Sequence, residues 1–221
     1  MRNRASLILL LIKKRLDPAQ ILTRLALRKA LVGCETVLDV GCGKSMNLRW
    51  LDVKRATGID GYAPDVEDAR RQNTHDELIL GNVLELDNLF KADQFDAVIA
   101  MDLIEHLTKE DGLRLMQSME KIARRKVIIF TPSGFLPQHH SASDDLQEHL
   151  SGWEASEMRQ FGYRVIGMLG PKALRGEFHV LKWRPKFFWG GVSLLLHFCW
   201  TRWVPQKAAA ILCVKTKRSG Q

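Results

Sequence analysis

Apolar stretches that alternate with helical patterns constrain the fold of this 221-residue chain most strongly. Two of them, FDAVIAM at Phe95–Met101 and KVIIFT at Lys126–Thr131, are almost continuously apolar. Such strands are typical of a parallel sheet that helices cover on both faces. The sequence therefore predicts an α/β fold whose strands are Thr36–Val40, Ala56–Asp60, Glu77–Leu80, Phe95–Met101, Lys126–Thr131, Tyr163–Leu169 and Ala208–Val214.

Helix signals fill the intervals between these strands. Asp17-Pro18 is typical of a helix start, and Gly33 is typical of the turn that closes a helix. The further predicted helices are Ser45–Leu51, Pro64–Gln72, Lys109–Arg124 and Trp153–Phe161. Parallel sheets of this kind bind ligands at the carboxyl ends of their strands, so we expect the site at that edge.

The first strand runs into a glycine turn, LDVGCGKS, that resembles three different ligand loops. A phosphate-binding P-loop needs a glycine at position 38, where this chain has Leu38. A dinucleotide fingerprint needs a third glycine at position 46, where this chain has Met46. An adenosyl ligand without a pyrophosphate remains, and glycines at this turn would let the backbone approach it.

VLDVGCG resembles motif I of the class I S-adenosylmethionine-dependent methyltransferases, in particular those of type 11. The resemblance implies that Asp39, Gly41, Cys42 and Gly43 form part of the cofactor site. In TGIDGY, an acid ends the second strand 19 residues after Gly41. An acid at that distance commonly binds ribose hydroxyls. The family places such an acid on the ribose of the cofactor, which predicts that role for Asp60, with Gly61 and Tyr62 beside the adenosine.

Later motifs extend the resemblance to about residues 35–170. LILGNVLEL resembles the third-strand motif, with Asn82 in place of the usual acid and Val83 after it. An asparagine carbonyl can still accept a hydrogen bond from the adenine amino group. FDAVIAMDLIEHL resembles the fourth-strand motif, whose expected cofactor contacts are Met101, Asp102, Leu103 and His106. KVIIFTPSGF resembles the fifth strand and its substrate-facing turn.

The resemblance implies a Rossmann-like, doubly wound sheet of seven strands with the last strand antiparallel, and S-adenosyl-L-methionine as cofactor. We predict a single methyltransferase domain over 1–221. It would comprise N-terminal helices at 1–33, a cofactor-binding core at 34–169, an insertion at 170–207 and a last strand at 208–215. The predicted reaction is methyl transfer to a small-molecule or a lipid- or saccharide-linked acceptor. A non-catalytic adenosylmethionine-binding regulator or scaffold, and an NAD-dependent oxidoreductase, are alternatives.

No decisive general base stands out. The histidines expected near strand ends are His106, His139, His140 and His149. Family resemblance places EHLSGW near the substrate, which favours His149 as the base. Some related RNA and quinone-pathway enzymes bind a divalent metal through a Glu-x-x-Glu-His cluster. Asp102-x-x-Glu105-His106 matches that pattern imperfectly, and we predict no metal ion here.

Composition bears on partners and compartment. The formal net charge is +8, which favours acidic partners or surfaces. No zinc-finger spacing or interleaved basic-aromatic strip indicates nucleic acid. The four cysteines form no CxxC pair, so a reducing, cytoplasmic setting is expected. The apolar run at Leu7–Ile12 is short and lacks a cleavage site, which favours an amphipathic or capping helix over a signal peptide.

The interval between the sixth and seventh strands is long, basic and aromatic. Lys182–Lys186 precedes the run Phe187–Trp200, which contains no acid, lysine or arginine. Fourteen residues are too few to span a bilayer. A lid over the site, a dimer contact, and a peripheral membrane contact through 182–204 at the inner membrane surface are the interpretations that the sequence leaves open.

Overall fold

The computed structural model describes residues 18–43, 48, 51–136, 148–176 and 179–217. Its strands are β1 Thr36–Val40, β2 Arg55–Asp60, β3 Glu77–Leu80, β4 Phe95–Met101, β5 Ala123–Pro132, β6 Arg164–Pro171 and β7 Ala208–Thr216. Its helices are α1 Pro18–Ala30, α2 Ala63–Arg71, α3 Leu86–Leu89, α4 Lys109–Ile122, α5 Ala155–Gln160 and α6 Lys186–Leu196. The predicted helix Ser45–Leu51 lies mostly outside the described residues, as do His139 and His140.

The seven strands form one sheet in the order β3-β2-β1-β4-β5-β7-β6. Strands β1 to β5 pair in parallel, whereas β7 is antiparallel to both of its neighbours. The fold class predicted from the sequence is therefore confirmed. Strands β2 and β3 are added on one side of β1, and β4 is added on its other side. The carboxyl ends of β1 and β4, at this switch in strand order, form the expected ligand crevice.

Separate apolar clusters cover the two faces of the sheet. One joins strand residues to helices α4 and α5, with Leu115, Met119 and Met158 fully buried. The other joins the opposite face to α1 through Leu27 and Leu31. Most strands are buried on both sides, so alternation is lost and they are continuously apolar, as the sequence indicated, whereas the edge strand β3 is only partly buried.

Two helix boundaries differ from the prediction by two residues, and the other described helix ends differ by at most one. Helix α4 ends at Ile122, and Ala123 already pairs with Phe95 in the sheet. The Arg124 guanidinium donates to Asp96 Oδ1 at 2.6 Å, which holds this stretch in the strand. Helix α5 begins at Ala155, because Trp153 forms a bridge with Ser133 and its indole donates to the Ile104 carbonyl at 3.2 Å.

Among the described residues, no helix has both the length and the apolar composition that crossing a bilayer requires.

Candidate active site

The glycine turn after β1 adopts a conformation that only glycine accepts readily. Gly41 and Gly43 have φ values of 66° and 46°. The Gly41 and Cys42 amides donate to the Ile59 carbonyl at 2.8 and 3.1 Å. A Cβ on Gly41 would lie 2.6 Å from Cδ1 of Leu103. The turn therefore packs directly against the loop after β4, which brings the first and fourth predicted motifs together.

Asp60 ends β2 beside this turn. Its Oδ2 accepts from the Gly43 amide at 2.8 Å, and its Oδ1 accepts from the Tyr62 amide at 2.8 Å. Each carboxylate oxygen retains a further lone pair, and the two together can accept a pair of vicinal hydroxyls. The side chain of Tyr62 is 46% exposed, on the open side of the turn, and Gly61 is exposed as well.

Asp39 lies beneath the turn and is 1% exposed. Its Oδ2 is 3.2 Å from Nε2 of His75, while Oδ1 is buried without a hydrogen-bond partner among the described residues. Burial raises the pKa of Asp39, and the His75 hydrogen bond opposes this effect. A buried carboxylate oxygen without a partner is costly, so a donor from a bound cofactor fits this position.

His75 was not found by sequence reasoning. It lies two residues before β3, where no motif indicated a polar contact, and its Nδ1 is 2.8 Å from Thr74 Oγ1. Its side chain is fully buried against Asp39. The pairing joins residues 36 positions apart, and only the packing of β1, β2 and β3 brings them together.

Cys42 contributes to the turn through its backbone. Its side chain is 1% exposed, and Sγ lies 2.9 Å from where a Cβ on Gly58 would stand. Burial raises the pKa of the Cys42 thiol, and the charges of Asp39 and Asp60 raise it further. The thiol is therefore protonated and faces the sheet, and any cofactor contact at this position comes from the main chain.

The loop after β3 lies next to Asp60, because the Gly81 amide donates to the Asp60 carbonyl at 3.0 Å. Asn82 caps the short turn Val83–Glu85, accepting from the Leu84 amide at 3.0 Å. Its Oδ1 retains one lone pair for an adenine amino group. Val83 is half-buried against the apolar core.

Beyond Met101, the last residue of β4, the chain turns sharply at Asp102. Asp102 has φ 51°, and its amide donates to the Phe130 carbonyl at 2.9 Å. Asp102 as a whole is exposed, but partial desolvation of its carboxyl group by the surrounding protein raises its pKa. Glu105 is 2% exposed and accepts from Thr131 Oγ1 at 2.9 Å. Burial raises the pKa of Glu105 well above its ordinary value, and Asp102 adds to the rise.

Two predicted histidines meet beside Glu105. The rings of His106 and His149 lie 4.8 Å apart at 65°. Their Nδ1 atoms are 3.1 Å from the Glu148 carbonyl and 2.6 Å from the Leu136 carbonyl, respectively. Ligand atoms of Glu105, His106 and His149 all lie within 4.8 Å of one another, so this trio could hold a metal ion. Asp102, part of the imperfect sequence pattern, is outside the trio.

His179 is a further residue that sequence reasoning missed. Its ring centre is 6.4 Å from that of Phe130, and its carbonyl accepts from the buried Arg175 guanidinium at 2.6 Å. Burial lowers the pKa of His179 to about 4, and the charges of Arg175 and His149 lower it further. His179 is therefore a neutral imidazole at physiological pH, and it lies close enough to His149 for the two side chains to interact electrostatically. No motif marks it, since it lies inside the long interval between β6 and β7.

Comparisons with known proteins agree with this arrangement. Residues 38–131 match the family Methyltransf_11, described as a methyltransferase domain. No curated protein is significantly similar in sequence.

Numerous solved structures are similar in fold, including three methyltransferases. The methyltransferase domain of a bacterial protein, CtHen1, has a TM-score of 0.54 and 18% identity over 90% of this chain and 98% of its own. Magnesium protoporphyrin IX methyltransferase from Synechocystis PCC 6803, with bound S-adenosylmethionine, has a TM-score of 0.51 and 13% identity over 90% and 80%. The plantazolicin methyltransferase BamL, in complex with a substrate analogue and S-adenosylhomocysteine, has a TM-score of 0.55 and 13% identity over 94% and 87%.

The family match spans the glycine turn, Asp60 and the loop after β4, and the similar structures share the overall fold. Residues 38–131 therefore match a methyltransferase domain, the chain has the fold of class I methyltransferases, and S-adenosyl-L-methionine is the cofactor that this match indicates.

Proposed function

We propose that this chain transfers the methyl group of S-adenosylmethionine to a small-molecule or a lipid- or saccharide-linked acceptor. The proposal rests mainly on the contact between Asp60 and the glycine turn. The Asp60 carboxylate accepts hydrogen bonds from the backbone amides of Gly43 and Tyr62. When bound, the cofactor supplies an electrophilic methyl group on a positively charged sulfur. Asp60 would hold the ribose, and Asn82 would face the adenine.

Asp39 and Asp102 would serve the charged end of the cofactor. Asp39 lies near the carboxyl end of β1, and Asp102 directly follows the adjacent strand β4. Their carboxylates would favour a cation between them, and the buried Oδ1 of Asp39 lacks a donor among the described residues. Positioning of this kind supplies much of the rate of a transfer reaction.

The acceptor would enter on the side lined by His106, His149 and His179. We propose His149 as the general base for a hydroxyl acceptor. Its Nδ1 lies 2.6 Å from the Leu136 carbonyl, which favours the tautomer with the proton on Nδ1 and leaves Nε2 as the acceptor. Among the similar proteins, one acts on a porphyrin and another belongs to plantazolicin synthesis, so the fold alone selects no acceptor.

Calorimetric titration with S-adenosylhomocysteine tests the cofactor assignment. Asp60→Ala should weaken binding by about 100-fold, since it removes charge-assisted hydrogen bonds both to the cofactor and to the turn. Asp52→Ala is a matched control, because the Asp52 side chain is 68% exposed and pairs only with Arg28 among the described residues. Equal affinity of Asp60→Ala and the native chain would overturn the assignment, and binding of NAD alone would indicate an oxidoreductase.

Transfer itself is tested with methyl-labelled cofactor and fractionated cell extract. Labelling of any component supports the enzyme, and tight cofactor binding without labelling supports a regulator or scaffold. Once an acceptor is found, His149→Gln should lower kcat by about 100-fold or more if that acceptor is a hydroxyl. The affinity for S-adenosylhomocysteine should not change, which separates the base from a cofactor ligand.

A second candidate is metal-assisted transfer, favoured by the trio Glu105, His106 and His149. A divalent ion there would polarise an acceptor oxygen. It would have to displace the proton that burial favours on Glu105. Activity that survives exhaustive chelation would exclude this candidate, and activity restored by one divalent ion would support it.

A further inference from the structure

Helix α6 and the turn that continues it have their apolar side outward. The helix Lys186–Leu196 runs into a π-helical turn, His197–Thr201. Its buried face consists of small or polar residues: Gly190, Ser193, His197 and Thr201. The large side chains are exposed and form what we call the aromatic face: Phe187, Phe188, Leu195, Phe198, Trp200 and Trp203. A surface helix ordinarily buries its apolar stripe, so this one calls for an external partner.

The aromatic face cannot rotate inward, because the inner side of the helix packs against backbone. A Cβ on Gly167 would lie 1.9 Å from the Thr201 carbonyl oxygen, and one on Gly170 would lie 2.3 Å from Ser193 Oγ. Ser193 Oγ donates to the Leu169 carbonyl at 3.1 Å. The helix is therefore held so close to β6 that only small inward-facing residues fit.

Aromatic rings also brace one another on the outer side. The ring centres of Trp183 and Trp189 are 4.6 Å apart, and those of Phe188 and Trp189 are 5.3 Å apart. Phe187 nevertheless remains 85% exposed and Trp203 74% exposed. Ring contacts thus order part of the cluster without covering it.

Positive charge surrounds the aromatic face. Lys182, Arg184 and Lys186 precede or begin the helix and are exposed, and Arg202 lies 5.8 Å from the ring centre of Trp203. The printed sequence contains no aspartate or glutamate after Glu177. Across the described ranges, no carboxylate forms an ion pair with any of these four cations. The charge is therefore available to an anionic partner.

We infer that the aromatic face and its flanking cations dock on a bilayer surface that contains anionic lipid. Tryptophan and phenylalanine together with lysine and arginine are typical of segments that lie in the headgroup region. A second copy of this chain would fit less well. A two-fold contact would oppose the same cations on both copies without any acid of the segment between them. Anionic lipid headgroups neutralise these cations instead.

Hydrogen bonds of Arg175 connect helix α6, which carries the aromatic face, to the acceptor side of the crevice. Arg175 donates to Ser193 Oγ on the inner side of α6 at 3.3 Å and to the His179 carbonyl at 2.6 Å. Docking would therefore present the acceptor side to molecules at the bilayer surface. This consequence for the acceptor rests on the proposed function, whereas docking itself does not.

Vesicle co-sedimentation of the full chain tests the inference. We expect binding to vesicles of phosphatidylcholine with 30% phosphatidylglycerol (a chosen composition), weaker binding to pure phosphatidylcholine, and a decrease with added salt. The variant Phe187→Ser/Leu195→Ser/Trp203→Ser should bind at least tenfold more weakly, because it removes exposed apolar groups. Replacing Lys182, Arg184 and Lys186 with glutamine should also weaken binding by about tenfold or more, since each charge contributes near an anionic surface.

Val32→Ser is the matched control, because Val32 is 68% exposed and is not part of the aromatic face. All variants should keep the native melting temperature and the native affinity for S-adenosylhomocysteine, which separates docking from folding and from the proposed function. Equal sedimentation of the native chain and the triple apolar variant would overturn the inference. So would lipid-independent self-association that the triple variant abolishes, since the occupant would then be a second copy.

Discussion

The cofactor crevice and the α6 segment use the same residue types in opposite ways. In the crevice, apolar side chains are buried and carboxylates such as Asp39 and Asp60 stand at strand ends. In the α6 segment, residues 182–204, large apolar side chains are exposed and cations flank them. Its buried face consists of small or polar residues. Glycine shows the difference: at Gly41 it permits a left-handed turn packed against Leu103, and at Gly167 it admits a helix. The contrast indicates two surfaces with different partners.

The largest effect on stability should come from Gly167→Ala. Its Cβ would lie 1.9 Å from the Thr201 carbonyl oxygen and 2.8 Å from the Ala208 Cβ, so backbone must shift. We expect a loss of about 3 kcal/mol in the free energy of unfolding, measured by urea denaturation. Gly191→Ala is the control, because nothing lies within 4 Å of its added methyl group. An unchanged stability would show that α6 packs less closely on β6 than described.

A smaller loss, about 2 kcal/mol at pH 7, should follow from Asp96→Asn. Asp96 accepts hydrogen bonds from the Arg124 guanidinium and from the Glu35 and Thr36 amides. It lies near the amino end of β4, at the end of the strands opposite the crevice. Burial acts to raise the pKa of Asp96, but these hydrogen bonds outweigh it and lower the pKa to about 2.

The folded-state pKa of Asp96 is below the unfolded value of about 4, so its stabilisation is present above pH 4 and is lost as pH falls toward 2. Urea denaturation at pH 7 and pH 3 should show the difference between native and variant shrinking at the lower pH. Asp52→Asn, at an exposed ion pair, should change stability by less than about 0.5 kcal/mol. A difference that is constant with pH would contradict the assigned network.

The smallest effect on stability, about 1 kcal/mol, should come from Gly41→Ala, in which the left-handed backbone is strained and only the Leu103 side chain must move. Cofactor affinity should nevertheless fall by tenfold or more, because the turn that carries Gly43 shifts. Calorimetry with S-adenosylhomocysteine beside a urea titration measures both. A larger loss of stability for Gly41→Ala than for Gly167→Ala would contradict the assignment of Gly41 to the cofactor turn and of Gly167 to the packing of α6.

Much of the sheet was predictable from the sequence. Thr36–Val40, Glu77–Leu80 and Phe95–Met101 have the predicted bounds. In β1 and β4, burial on both faces makes the strand continuously apolar. The start of β5 was not predictable. Ala123 and Arg124 extend the helical pattern of α4, but the pairing of Ala123 with Phe95 and the ion pair of Arg124 with Asp96 hold them in the sheet.

The residues of the candidate site also fall into those that the sequence predicted and those that it did not. Asp39, Gly41, Gly43 and Asp60 belong to local motifs in which residue type and spacing encode the turn, so the sequence was sufficient to place them together. His75 and His179 join the site through contacts between distant segments. Their own sequence neighbourhoods carry no sign of these contacts, so pattern reasoning could not reach them.

The sequence by itself determined the fold class, the order of strand and helix and the glycine turn, because periodicity and backbone conformation are properties of short stretches. It also contained the basic and aromatic composition of the α6 segment, with a lid, a dimer contact and a membrane contact left open. Only the tertiary structure decided which side of α6 faces outward. Gly167 and Gly170 bring β6 against the small face of the helix, and burial of that face leaves the aromatic side exposed.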